Sequence, residues 1–203
     1  MKTGFLTCLA AAFAFLFLGA GGALAQNVRV RGTIEKAEPS AIVVKTREGE
    51  TLTIKLAETL NVSGVEKRTI ADIKENSFVG IAALAQADGT LKALEVLIFP
   101  EAMRGANEGH YPWDLAPQAT MTNAAVVSVV SKVDGSTLKL KYKDGEKTIV
   151  VPSDTPIVTF LPGDRSEIKV GAKIFIGGAQ KQPDGSLQAG RIAVGRDGIT
   201  PPM

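Results

Sequence analysis

The chain repeats itself. Gln86-Ala87-Asp88-Gly89-Thr90-Leu91 returns as Gln182-Pro183-Asp184-Gly185-Ser186-Leu187, 96 residues later. Glu48-Gly49-Glu50 returns at the same offset as Asp144-Gly145-Glu146, and Asp72-Ile73-Lys74 returns at 95 as Glu167-Ile168-Lys169. Phe78-Val79-Gly80-Ile81 then matches Lys173-Ile174-Phe175-Ile176. Several matches in one order at a nearly constant offset define two copies of one module, about 28–100 and 123–198. Whatever the chain folds into must accommodate that unit twice.

Each copy reads as short strands. Val28 to Ile34 alternates apolar and polar residues, the period of a half-buried strand. Ala41 to Lys45 and Thr51 to Leu56 flank Arg47-Glu48-Gly49-Glu50, a hairpin turn. Thr69 to Lys74 fits one helical turn that Thr69 can cap. Phe78 to Leu84 and Leu91 to Phe99 then form a second hairpin. The second copy repeats the order with Ala125 to Val130, Thr137 to Lys141, Lys147 to Val151, a turn near Ser166 to Lys169, Lys173 to Gly177 and Leu187 to Val194. Three strands, a short helix and two strands is the order of a small OB-type barrel. A generic five-stranded meander has the same elements. The expected fold is therefore all-β, two tandem small five-stranded OB-like barrels (β-β-β-short α-β-β) from an internal duplication. Copies of this length are marginal for folding alone, so packing of one copy on the other is expected.

The N-terminus reads as an export signal. Met1-Lys2 gives a short positive start, Phe5 to Leu18 is apolar, and Ala23-Leu24-Ala25 presents small residues before Gln26. The apolar run falls short of the ~20 residues that span a bilayer. Cleavage after Ala25 is expected, giving a periplasmic or secreted protein with no integral membrane segment. It would also remove Cys8, the only cysteine, so the mature chain would have no thiol and no disulfide. The expected organisation is a signal peptide over 1–25, a first β-domain over 26–100, a linker over 101–122, a second β-domain over 123–198 and a tail over 199–203.

The hairpin, the [Asp/Glu]-Ile-Lys turn, the next strand and the x-Asp-Gly-[Ser/Thr]-Leu hairpin resemble the DUF5666 family of exported bacterial β-domains. The linker residues Phe99 to Gly105, Gly109-His110, Pro112 to Leu115 and Thr120 to Asn123 resemble a tandem-domain proteobacterial subgroup of it. That subgroup's tail also reads Gly195-Arg196-Asp197-Gly198 and Pro201-Pro202-Met203. The resemblance implies a fold and an exported location; the family is defined by its domain and implies no activity.

The linker gathers the rare residues: the only histidine, His110, the only tryptophan, Trp113, and one of two tyrosines, Tyr111. Gly105, Gly109 and Pro112 should keep it out of regular structure. A long loop with this aromatic content either staples the two copies together or borders a ligand pocket between them. Candidate ligand-binding residues are Arg104, His110, Tyr111, Trp113 and Asp114. His110, Glu108 and Asp114, with Met103 and Met121 as thioethers, are weak candidates for a metal, because they have no committed ligand spacing.

Catalysis is not expected. One histidine, no mature cysteine and no serine in a nucleophile elbow leave few routes to an active site. Glu35, Glu38, Glu48 and Glu50 fall at strand ends and turns, where carboxylates are solvated. A net charge of +2 gives no drive toward nucleic acid, and Lys139, Lys141 and Lys143 read as a solvated strand face. No cofactor is implied. The expected function is a non-enzymatic binding or interaction module, acting on barrel faces or in the interdomain groove. Its partner would be an envelope protein, peptide or glycan. The alternative is a ligand- or metal-responsive protein with its site near His110.

Overall fold

A computed structural model describes residues 27–201; the expected signal segment and Cys8 lie outside the described residues. The described chain is all-β, with twelve strands. They are β1 (Asn27–Ala37), β2 (Ala41–Thr46), β3 (Thr51–Arg68), β4 (Phe78–Ala85), β5 (Leu91–Ile98) and β6 (Gly109–Pro112). Then come β7 (Thr120–Lys132), β8 (Gly135–Tyr142), β9 (Gly145–Pro152), β10 (Ile157–Pro162), β11 (Lys173–Lys181) and β12 (Leu187–Gly195). No helix among the described residues is long and apolar enough to cross a membrane.

The repeated motif explains the repeated hairpins. Asp88 Oδ1 accepts hydrogen bonds from the backbone N–H and hydroxyl of Thr90 at 3.0 and 2.7 Å, and Asp184 Oδ1 does the same for Ser186 at 2.9 and 2.6 Å. The glycine between them takes φ of 81° in both copies, a conformation that costs glycine nothing. The expected short α-helix is a single 3₁₀ turn in each copy, Ile70–Asp72 and Arg165–Glu167. Thr69 does start the first one, with its backbone N–H and hydroxyl both donating to Asp72 at 2.8 Å. Three residues cannot close α-helical hydrogen bonds, so the turn stays a single one, and Ile70 with Ile73 in one copy and Ile168 in the other pack from it onto the ring cores.

The strands close into rings, and each ring mixes the two copies. β1, β2, β3, β12 and β11 form a closed five-stranded barrel: β1 runs antiparallel to β11, and β3 parallel to β12. β4, β5, β9, β8 and β7 form a second circuit, closed by a short parallel pairing of Leu91 and Lys92 with Ile149 and Val150. The tandem expectation is corrected here. Each ring takes three strands from one copy and two from the other, so neither copy closes on itself. The first core joins Ile34, Ile42, Val44 and Ile54 of the first copy to Ile174, Ile176 and Ile192 of the second. The second joins Val79, Ile81 and Val96 to Leu138, Leu140 and Ile149.

The exchange follows from β3. The first copy carries an unbroken strand of 18 residues, where a strand ending at Leu56 is expected. In the second copy the equivalent strand is interrupted at Ser153–Pro156, and its continuation is β10, for which the sequence pattern predicts no strand. β10 lies antiparallel to the far half of β3 and parallel to the end of β5. Val65 pairs with Phe160, and those residues are copies of each other at the offset of 95. A pseudo-twofold axis therefore passes through that pair. Around it lies a third core, Val65, Leu97, Val158, Phe160, Phe175 and Ala193, between the two rings.

Arg196 clamps this junction. Its guanidinium donates to Glu167 at 2.9 and 3.0 Å, to Glu66 at 2.8 Å and to the Pro162 carbonyl at 2.9 Å. The carboxylates of Glu167 and Glu66 raise its pKa above the ordinary arginine value. It lies directly over Gly64, where any Cβ would collide with the guanidinium.

Candidate functional site: a groove between the rings

The alternation of β5 and β12 slips by one residue at equivalent positions. In β12, Ala189 and then Ile192 and Val194 face the first core, so the inward pattern skips across Gly190. In β5, Ala93 and then Val96 face the second core, skipping across Leu94. A slip of this kind turns the following side chain to the other face. It points Arg191 and Ala193, and their copies Glu95 and Leu97, into the space between the rings rather than into the core of either ring.

That space holds a groove of about 760 Å³, within the usual range of small-molecule sites. Its apolar wall is built by Phe99, Met103, Met121, Phe160 and Phe175. Its polar contributions come from Arg29, Asn61, Ser63, Glu108, Asn123 and Arg191. On the other side of the pseudo-twofold lies a cavity of about 290 Å³, with Arg47, Lys67 and buried Glu95 in its lining. The chain's tail, Ile199 to Pro201, occupies its border.

The linker enters the groove as a strand. Gly109–Pro112 pairs antiparallel with β7, from Gly109 opposite Asn123 to Pro112 opposite Thr120. The expectation of an irregular linker is corrected over these residues, and the second copy's first strand begins at Thr120 rather than Ala125. Glycine and proline are tolerated because β6 is an edge strand, paired on one side only.

Strand alternation then separates the candidate residues. Tyr111 and Trp113 face the groove, their rings 6.1 Å apart edge to face. The Tyr111 hydroxyl accepts from Asn123 Nδ2 at 3.2 Å, and burial raises its pKa, opposed by the charge of Arg29. Asn123 also donates to the Ala106 carbonyl at 3.0 Å, holding the linker down. Its amide oxygen and the Phe99 ring fill the space that a Cβ on Gly80 would need.

Arg29 lies over the Trp113 ring at 4.1 Å, and Arg31 over Phe175 at 5.2 Å. Asp114 bridges the two arginines at 3.5 and 2.8 Å. Burial pushes its carboxyl up, but the hydrogen bond from Arg31 and both guanidinium charges outweigh that and leave the pKa lowered. Trp113 is thus held between a cation and an aromatic edge, a rigid wall for a ligand.

His110 faces away from the groove. Its Nδ1 lies 2.8 Å from the Thr122 hydroxyl and its ring stacks on Tyr142 at 6.4 Å. Burial and the charge of Lys147 lower its pKa. Arg104 lies outside the groove lining, with its guanidinium on Glu101 at 2.6 and 2.8 Å and on the Asn76 carbonyl at 2.8 Å. The metal candidates are not brought together. Glu108 accepts from the Lys143 backbone at 2.9 Å, Asp114 holds its arginines, and His110 lies on the opposite face of β6. Among the described residues no group of three metal-ligating His, Cys, Asp or Glu side chains exists. Met103 and Met121 both line the groove, in its apolar wall.

The groove residues outside the sequence candidates include the polar Arg29, Asn61, Asn123 and Arg191. They come from three strands, β1, β3 and β12, and from the start of β7, and only the exchange of strands collects them. In comparison with known proteins, the chain matches no family model, no curated protein and no solved structure.

Proposed function

We propose that the protein is a non-enzymatic binding module of the exported DUF5666 type, built as two OB-like barrels between which the copies exchange strands. Its ligand occupies the groove between them. The observation that carries this reading is the groove wall itself: a tryptophan and a tyrosine delivered by the linker onto an aromatic floor at the junction of two rings. Rigid aromatic walls with a few convergent polar groups are what small-ligand sites use for affinity and orientation. Junctions between structural units are a common place for them.

Support for the OB-like description lies in the ring order. In each ring the first strand pairs antiparallel with the fourth and the third parallel with the fifth, counting within a copy. The test of the binding reading is a screen of chemically diverse small molecules by thermal shift, followed by titration against Trp113 fluorescence. Trp113 is the only tryptophan, so its emission reports on the groove alone. Ligands that raise the melting temperature and shift this emission support the groove. Stabilising ligands that leave the emission unchanged, and that Trp113→Phe binds equally well, place the site elsewhere and refute it.

A further inference from the structure

Resting on that groove reading, we infer that the ligand is a small amphipathic carboxylate. Its apolar body lies along Phe99, Met103 and Phe160, and its carboxylate lies on Arg191. The floor is apolar and includes two methionines, Met103 and Met121, which adapt to ligand shape. The walls add two cations, Arg29 and Arg191, and one anion, Glu108. These charges are not equally available. Arg29 is ion-paired to Asp114 and spread over the Trp113 ring, and Glu108 is tied to the Lys143 backbone.

Arg191 makes no hydrogen bond or ion pair through its guanidinium with the described residues. It is exposed and stands beside Asn61, its neighbour across the β12–β3 ladder, at the groove. The one-residue slip at Gly190 is what turns it outward. Without the slip, Arg191 would point into the first core, where an unpaired charge is not tolerated. A guanidinium presents a planar fork of donors that matches a carboxylate.

The duplication sharpens the case. Arg191 is the copy of Glu95 at the offset of 96, so the two sides of the pseudo-twofold carry a guanidinium and a carboxyl group at one structural position. On the Glu95 side the chain's own tail borders a cavity of about 290 Å³. On the Arg191 side the linker, including Met103, the copy of Ile199, borders a groove of about 760 Å³. The larger space is the one with Arg191 and the aromatic floor.

The test titrates the full chain with decanoate, decan-1-ol and decylammonium, all below their aggregation limits, by Trp113 fluorescence and calorimetry. Decanoate should bind most tightly and decylammonium not measurably. Arg191→Ala should weaken decanoate by about tenfold to a hundredfold, the usual worth of a charge-assisted hydrogen bond. Arg191→Lys should restore part of that loss, and both variants should keep the wild-type circular dichroism. If decan-1-ol binds as well as decanoate and Arg191→Ala changes neither, the carboxylate assignment is overturned while the groove stands. If all three give neither heat nor a change in emission, while the screen above finds other groove ligands, the amphipathic class is overturned as well. If no molecule of either experiment reaches Trp113, the groove reading falls with it.

Discussion

Cutting the chain between its copies discriminates exchanged strands from two self-contained barrels. A site-specific protease sequence inserted between Arg104 and Gly105, both exposed, allows the cut to be made after folding. The second copy supplies Ile174, Ile176, Ile192 and Val194 to the first core, and the first copy supplies Val79, Ile81, Leu91 and Val96 to the second. At about 1.5–3 kcal/mol for each buried aliphatic side chain, these eight contribute roughly 12–24 kcal/mol to association. Loss of translational and rotational freedom takes back about 4–15 kcal/mol. The middle of that difference, about 8 kcal/mol, corresponds to a Kd of about 1 µM, and the ladders shared between copies tighten it further. The cut chain at about 10 µM should therefore elute as one particle of unchanged size, measured by light scattering. Its denaturation midpoint should become concentration-dependent, as for any complex, while that of the intact chain does not. Two separate half-size particles, each retaining strand circular dichroism and its own unfolding transition, would refute the exchange.

Other outcomes follow from single residues. Phe160→Ala, at the pseudo-twofold and 9% exposed, should cost about 3–5 kcal/mol in chemical denaturation and open the groove floor. Gly64→Ala should lower the melting temperature by driving the Arg196 guanidinium off its carboxylates, and in the Arg196→Met background the same change should cost less, a coupling that a double-mutant cycle measures. His110 has its folded pKa lowered from 6.5, so the unfolded chain takes up its proton first; its contribution to stability is full above pH 6.5 and is lost as pH falls through the lower folded value. Thermal melts from pH 7.5 downward should show that loss, and His110→Gln should flatten it over this window. Asp114→Asn should free Arg29 from its ion pair and change Trp113 emission without ligand, because the cation then leaves the ring face.

Much of the local structure was legible from residues 27–201. Asp-Gly-[Ser/Thr] hairpins, the Thr69 turn and most strand positions depend on near neighbours, so the sequence carries their signals directly. The exposed Lys139 and Lys141 alternate with buried Leu138 and Leu140, as a period of two requires. The short helix was over-read because a capping signal marks where a turn begins and says nothing of how many turns follow. The candidate site was half legible. The cluster of rare residues pointed to the linker, but once the linker is a strand, its odd and even positions face opposite ways. Tyr111 and Trp113 reach the groove and His110 does not, a division that an irregular loop would not impose.

The duplication by itself determined that one set of five strands would be built twice, with matching turns and matching apolar faces. It left open which copy completes which ring. The two copies present nearly the same apolar pattern to a partner strand, so β4 and β5 satisfy either set of three first strands. That choice rests on long-range geometry: the unbroken β3 carries the first copy past its own ring, and β10 pairs with it across the pseudo-twofold. The groove is a product of that choice. Arg29, Asn61 and Arg191 become neighbours of Trp113 only because strands distant in sequence were exchanged.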